Sequence, residues 1–252
     1  KHDNLMHCYP HNTEKKYLFQ CYEYLQGETL AQWLHRQEKP LKLDDILPIL
    51  QQTALALNAM HRLEMLHQDI RPKNIIVLNT ESAMKIKLID YGSTAVRGLV
   101  EINPKNANRP LGTLAFMAPE YFIDHSPSVH SDQFSLAVMA YYLFTKQLPY
   151  GTDLARCNSL KQMKKVQYHS IRKYRPDLPI WLDKILGQAL SIEPTHRFEA
   201  LSELIHNLMH PSKELLNSKP PAIIERDPLR FWQISCTVLG LLFLLSIAWP
   251  FI

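Results

Sequence analysis

"MLHQDIRPKNIIV" occupies residues 65–77 and gathers His67, Asp69, Arg71 and Asn74 within eight positions. A chain turning a corner has no need of four such different polar side chains. Asp69 is followed two residues later by a cation, Arg71, and five residues later by an amide, Asn74. A second carboxylate, Asp90, ends the next apolar run and precedes Tyr91 and Gly92. Phosphoryl transfer needs this set. One carboxylate accepts or orients a hydroxyl, a cation offsets phosphate charge, and an amide and a carboxylate hold magnesium through hard oxygens. Gly92 allows the sharp backbone turn that such a site requires.

Around this segment the chain has 252 residues, 46% hydrophobic and 21% charged, enough for one domain and an appendage. A net charge of +4 is too mild and dispersed for a nucleic-acid binder, and no finger or recognition-helix pattern occurs. Cys8, Cys21, Cys157 and Cys236 form no C-x-x-C pair and read as idle thiols of a reducing compartment. His2, His7, Cys8 and His11 cluster, but no carboxylate or second cysteine pair completes a ligand set.

Working outward, "NIIVL" and "MKIKLID" read as two strands joined by a polar turn. Upstream, the alternating aromatic run 16–25 predicts a strand, and "GETLAQWLHRQ" a short helix capped by Thr29. A longer helix is expected from a cap at Asp44, with Ile46, Leu47, Leu50, Ala54, Leu57 and Met60 at helical spacing. Pro48 is tolerated there by lying close to the first turn. Residues 91–119 show no sustained period, as functional connections often do. Helices are expected over 131–144, 182–190 and 199–209. The basic run 161–176 reads as a solvated face.

From Gln233 to Ile252 no residue is charged. A bilayer core about 30 Å thick needs roughly 20 such residues in a helix. Trp232 and Trp249 sit near the two ends, and Arg226 and Arg230 precede the run. A single-pass membrane anchor is therefore expected, with the preceding domain facing the cytoplasm.

The motifs, in order, resemble the eukaryotic-type serine/threonine protein kinase family in its bacterial form. "HQDIRPKN" stands for that family's His-Arg-Asp-x-Lys-x-x-Asn, and "DYG" for its Asp-Phe-Gly. "GTLAFMAPE" resembles the end of its activation segment, "SDQFSLAVMAYYLFTKQLPY" the helix that follows, and "PTHRF" a later turn. The resemblance covers residues 1–209 and implies an α+β, protein-kinase-like fold. Residues 1–25 would be the end of a truncated small lobe and the hinge. Residues 26–210 would form the mainly helical large lobe, 211–230 a juxtamembrane linker and 231–252 a transmembrane helix.

The same resemblance implies roles. Asp69 would be the catalytic base, Arg71 would stand for the usual Lys near the γ-phosphate, and Asn74 and Asp90 would bind Mg2+. The backbone of Glu23 and Leu25, in "YEYL", would meet the adenine of ATP, with Ile76 as its floor. Thr113 would lie near the hydroxyl of a Ser/Thr protein substrate. His67, Asp132 and the pair Glu120–Arg197 would be architectural.

Three departures accompany these roles. Gln68 replaces an Arg that pairs with phosphorylated loops in the family. Ala137 and Glu64 replace frequent glycines. No Gly-rich loop or strand Lys precedes Lys1, so the chain reads as a fragment, and the tail resembles bacterial proteins whose kinase follows a phosphatase domain. The alternative expectation is a non-catalytic scaffold at the membrane.

Overall fold

The computed structural model describes residues 2–10, 19–78, 84–96, 114–123, 126–217 and 228–248. Among the described residues, seven short strands make three sheets. The central one is antiparallel, ordered β3 (Gly27–Thr29), β5 (Ile75–Leu78), β6 (Lys85–Leu88). A ribbon of β1 (Cys8–Tyr9) and β2 (Cys21–Tyr22) and another of β4 (Met65–Leu66) and β7 (Ala95–Val96) flank it. The expected strand over 16–25 thus shrinks to Cys21–Tyr22, with residues 16–18 outside the described residues. Among the described residues of that run, Cys21 and Tyr22 pair with β1, and Glu23 N–H donates to the adjacent His7 carbonyl.

Gly27 is required by packing. A Cβ there would lie 2.2 Å from the Val77 carbonyl oxygen, so only a bare Cα lets β3 approach β5.

The helices follow the apolar spacing closely. Helix α1 (Leu30–His35) starts at Thr29, which forms a reciprocal capping box with Gln32. Helix α2 (Leu43–His61) begins one residue before Asp44; its cap position is Lys42, whose N–H donates to the Asp45 carboxylate at 2.8 Å. Asp44 instead sits in the first turn, where the positive end of the helix dipole favours an acid. Helix α3 (Val129–Thr145), capped by Ser128, is buried on nearly every side from Ser131 to Phe144. An apolar helix without a polar face belongs in a core, and α3 forms the centre of this one. A short α4 (Leu160–Met163) precedes α5 (Ile180–Ala189) and α6 (Leu201–Met209), which close the far side.

Leu50, Leu57, Leu136, Tyr141, Leu182 and Leu204 belong to one hydrophobic cluster shared by α2, α3, α5 and α6. Lys161, Lys164 and Lys165 are exposed, and Lys164 pairs with Glu193, as a solvated face should.

Within the expected linker, α7 (Lys213–Leu216) forms a single capped turn. Helix α8 (Pro228–Ala248) forms where the anchor is expected, beginning three residues earlier than residue 231. Among the described residues, no helix is long and apolar enough to cross a membrane.

Candidate active site

The opening segment leaves β4 at Leu66, runs through an irregular stretch, and enters a 3-10 turn at Pro72–Asn74 before β5. Pro72 suits the first position of that turn, since its missing N–H would have no partner there. Buried Asp132, at the start of α3, holds the loop from behind. One of its oxygens accepts the Gln68 N–H at 2.9 Å; the other accepts the His67 N–H at 3.0 Å and faces His61 Nε2 at 2.8 Å. Gln68 has φ 66°, a left-handed conformation that these backbone bonds help sustain. His61 is a partner of Asp132 that the sequence reading missed. Its place at the last turn of α2, four residues before Met65, was the available signal.

His67 is fully buried, and desolvation by burial pushes its pKa below the usual value, against the opposing charges of Asp132, Asp69 and Asp90. A neutral ring satisfies both of its contacts. Nε2–H faces the Ile89 carbonyl at 3.2 Å, while Nδ1 accepts the Asp69 N–H at 3.3 Å. Both ring nitrogens of His67 are thus engaged by the backbone of its own loop and of Ile89.

Asp69 is 7% exposed, and two polar groups meet its Oδ2: Asn74 Nδ2 at 2.6 Å and Arg71 Nε at 3.2 Å. Asn74 Nδ2 also donates to the Asp69 carbonyl at 2.8 Å. With its NH2 fixed this way, Asn74 turns its amide oxygen, the harder donor, to the opposite side. Asp90 is exposed, adopts φ 67°, and accepts the Gly92 N–H at 3.1 Å. Ile89 N–H donates to the Asn74 carbonyl at 2.9 Å, and β5 pairs with β6, so Asn74 and Asp90 leave one end of the same hairpin. An amide oxygen and an exposed carboxylate are the donor types that fit Mg2+. Among the described residues, no group of three or more His, Cys, Asp or Glu is arranged so that it could hold a metal ion.

The hinge expectation concerns Glu23, Leu25 and Ile76. Glu23 N–H donates to the His7 carbonyl at 2.9 Å, and its side chain accepts from His7 N–H and from Lys87 Nζ. Burial alone would raise the Glu23 carboxyl; the hydrogen bond from Lys87 and that from His7 N–H outweigh it and hold the group below the usual range. This ion pair, absent from the sequence reading, ties Glu23 to β6. Leu25 is half-buried, and Ile76 is half-buried between fully enclosed Ile75 and Val77, pairing with Thr29. Thr113 lies outside the described residues.

Away from the loop, Glu120 and Arg197 meet as expected. The guanidinium is forked onto the carboxylate at 2.9 and 2.8 Å, and its other donors go to the carbonyls of His130, Ser191 and Ile192. Burial pushes the Glu120 carboxyl up, but the hydrogen bonds and charge of Arg197 together with Ser131 bring it below its usual value.

Comparison with known proteins agrees with this geometry. The protein kinase domain profile matches residues 1–209. The serine/threonine-protein kinase PrkC of Bacillus subtilis is 25% identical over 203 residues, covering 81% of this chain and 30% of PrkC. PknA of Mycobacterium tuberculosis is 28% identical over 190 residues, covering 75% of this chain and 42% of PknA. The chain thus spans less than half the length of either relative. The crystal structure of the M. tuberculosis PknI kinase domain superposes with a TM-score of 0.62 at 24% identity, covering 83% of this chain and 72% of that one, a likeness of fold. The loop held by Asp132, the Asp69–Asn74 contact, the forked Glu120–Arg197 pair and the profile over most of its length agree: this chain belongs to the protein kinase family.

Proposed function

We propose that the chain is the catalytic lobe of a protein serine/threonine kinase that transfers the γ-phosphate of ATP to Ser/Thr hydroxyls of proteins. The observation that carries this reading is the Asp69–Asn74 contact at 2.6 Å beside the exposed Asp90. It joins a fixed carboxylate to a pair of hard oxygen donors.

In this reading Asp69 orients the substrate hydroxyl and takes up its proton as the oxygen attacks. Arg71, beside Asp69, offsets charge on the transferring group; its planar fork offers paired donors where a Lys would be a point charge. Asn74 does two things at once, locking Asp69 through Nδ2 and turning its oxygen toward a cation. Asp90 supplies the second metal-binding oxygen. Mg2+ with ATP supplies the phosphoryl group and neutralises its charge when bound. Because Glu23 N–H is engaged by His7, the Glu23 carbonyl and the Leu25 backbone are the groups left to meet adenine, over Ile76. Thr113 is proposed to sit near the substrate hydroxyl.

Membrane tethering belongs to the same proposal. It rests on the uncharged run 233–252, the flanking Trp232 and Trp249, and the basic residues before it. A covalently linked upstream phosphatase domain rests on the likeness of the tail alone.

The test uses the full-length protein with labelled ATP, Mg2+ and a generic basic protein. Magnesium-dependent transfer is expected, and it should be lost in both Asp69→Asn and Asp90→Ala variants that keep the wild-type melting temperature. A folded parent that neither transfers phosphate nor shifts its melting temperature with Mg2+ and ATP would sink the enzyme reading.

A further inference from the structure

Asp90 holds a left-handed backbone conformation, φ 67° and ψ 83°, which is uncommon for residues other than glycine though Asp is among those that tolerate it. Its own side chain accepts the Gly92 N–H, a bond within the turn that does not fix the turn against the rest of the fold. The next residue makes that connection. Tyr91 donates its hydroxyl to the Met6 carbonyl at 2.9 Å, with the Leu88 carbonyl at 3.3 Å. Met6 N–H in turn donates to the Leu88 carbonyl at 3.0 Å, and Leu88 N–H to the Asn4 carbonyl at 2.8 Å. The hydroxyl therefore closes a small network that joins the Asp90 turn, the end of β6 and the segment 2–10.

The ring alone does not secure this position. It meets His67 edge-on, with centroids 6.1 Å apart. A turn held by apolar contacts alone remains free to rotate about ψ of Asp90 and φ of Tyr91, the soft dihedrals either side of their planar peptide, and that rotation would re-aim the Asp90 carboxylate. A phenylalanine could fill the same ring volume but could not reach a carbonyl.

We infer that the Tyr91 hydroxyl is a positioning group, tying the metal-binding Asp90 to the Met6 carbonyl and so holding the carboxylate toward the nucleotide side of the site. This rests on the kinase reading above, and it concerns a departure of this chain, a hydroxyl where the resembling motif has a bare phenyl ring. The hydroxyl touches no reacting group; it acts through Asp90.

The experiment compares full-length wild type, Tyr91→Phe, and protein carrying 4-aminophenylalanine at position 91, which restores a donor on the same ring. Affinity for Mn2+ in the presence of ADP is read by electron paramagnetic resonance at a temperature where all three are folded. The magnesium concentration for half-maximal transfer is measured in parallel. Loss of one hydrogen bond's worth of orientation should weaken Mn2+ binding about 3- to 10-fold in Tyr91→Phe. The magnesium requirement should rise in step, and the amino ring should recover most of the loss. A purely structural hydroxyl would lower the melting temperature and leave metal affinity unchanged, and that result overturns the tether. Equal affinities of the phenylalanine and aminophenylalanine proteins overturn it as well, and decide the matter should the Phe variant be less stable. Wild type that binds Mn2+ with ADP and transfers phosphate, beside an indifferent Tyr91→Phe, removes the tether and leaves the kinase reading intact. Wild type that does neither removes both.

Discussion

At the residue scale, His67 shows how a polar group can be indispensable without entering the chemistry. Burial keeps its ring neutral, with Nε2–H on the Ile89 carbonyl and Nδ1 under the Asp69 N–H. An unfolded histidine takes up a proton near pH 6.5. Below that pH the unfolded chain binds more protons than the folded one, so stability is retained above about pH 6.5 and lost as pH falls toward the lower folded value. Urea unfolding between pH 7.5 and 5 should show this loss, and His67→Phe, which cannot titrate, should show a shallower one. Equal slopes would mean that other groups carry the effect. His67, Asp69 and Asn74 were legible as a group because their spacing is local. The partners His61 and Lys87 were not, since each meets its target from a distant part of the chain.

At the scale of elements, the forked Glu120–Arg197 pair joins the 3-10 turn Pro119–Phe122 to the turn before α6. Arg197 has its donors matched by the carboxylate and three carbonyls, and it stacks 4.8 Å from the Phe134 ring. Arg197→Met would leave a buried carboxylate without its cation, which typically costs about 3–5 kcal/mol. Urea denaturation should give a loss of that order, and a loss below about 1 kcal/mol would show that water or relaxation rescues Glu120. Glu120 also sets an acid limit. Its folded pKa is lowered, so its contribution is complete above the ordinary carboxylate range and lost as pH falls through the folded value.

Element boundaries were legible where a cap and a periodic face coincide, as at Thr29. They slipped where two acids competed: Asp45 reaches back to Lys42 N–H, and α2 starts at Leu43. Among the described residues of 16–25 the strand is shorter than expected, Cys21–Tyr22, because alternation signals an exposed face but not the length of its partner.

For the whole molecule, the proposed tether makes a separate prediction. Removing residues 228–252 should leave melting of the kinase lobe within about a degree, because none of the described residues of this span belongs to the core cluster. In fractionated cells the shortened protein should move from the membrane pellet to the supernatant. Equal distribution of both forms would end the tether proposal. The core itself should notice nothing, since α2, α3, α5 and α6 already enclose one another.

The sequence by itself determined the family, the order of elements and the identity of the chemical groups. These depend on local spacing: a carboxylate, cation and amide within one loop, apolar residues at helical period, and Asp beside Gly after a strand. Tertiary structure alone decided which groups meet. It brought Asp132 beneath Gln68, Lys87 to Glu23, and the Tyr91 hydroxyl to Met6 across 85 residues of chain. Contacts of that kind arise from how α2, α3 and the hairpin pack, and no pattern confined to neighbouring residues records them.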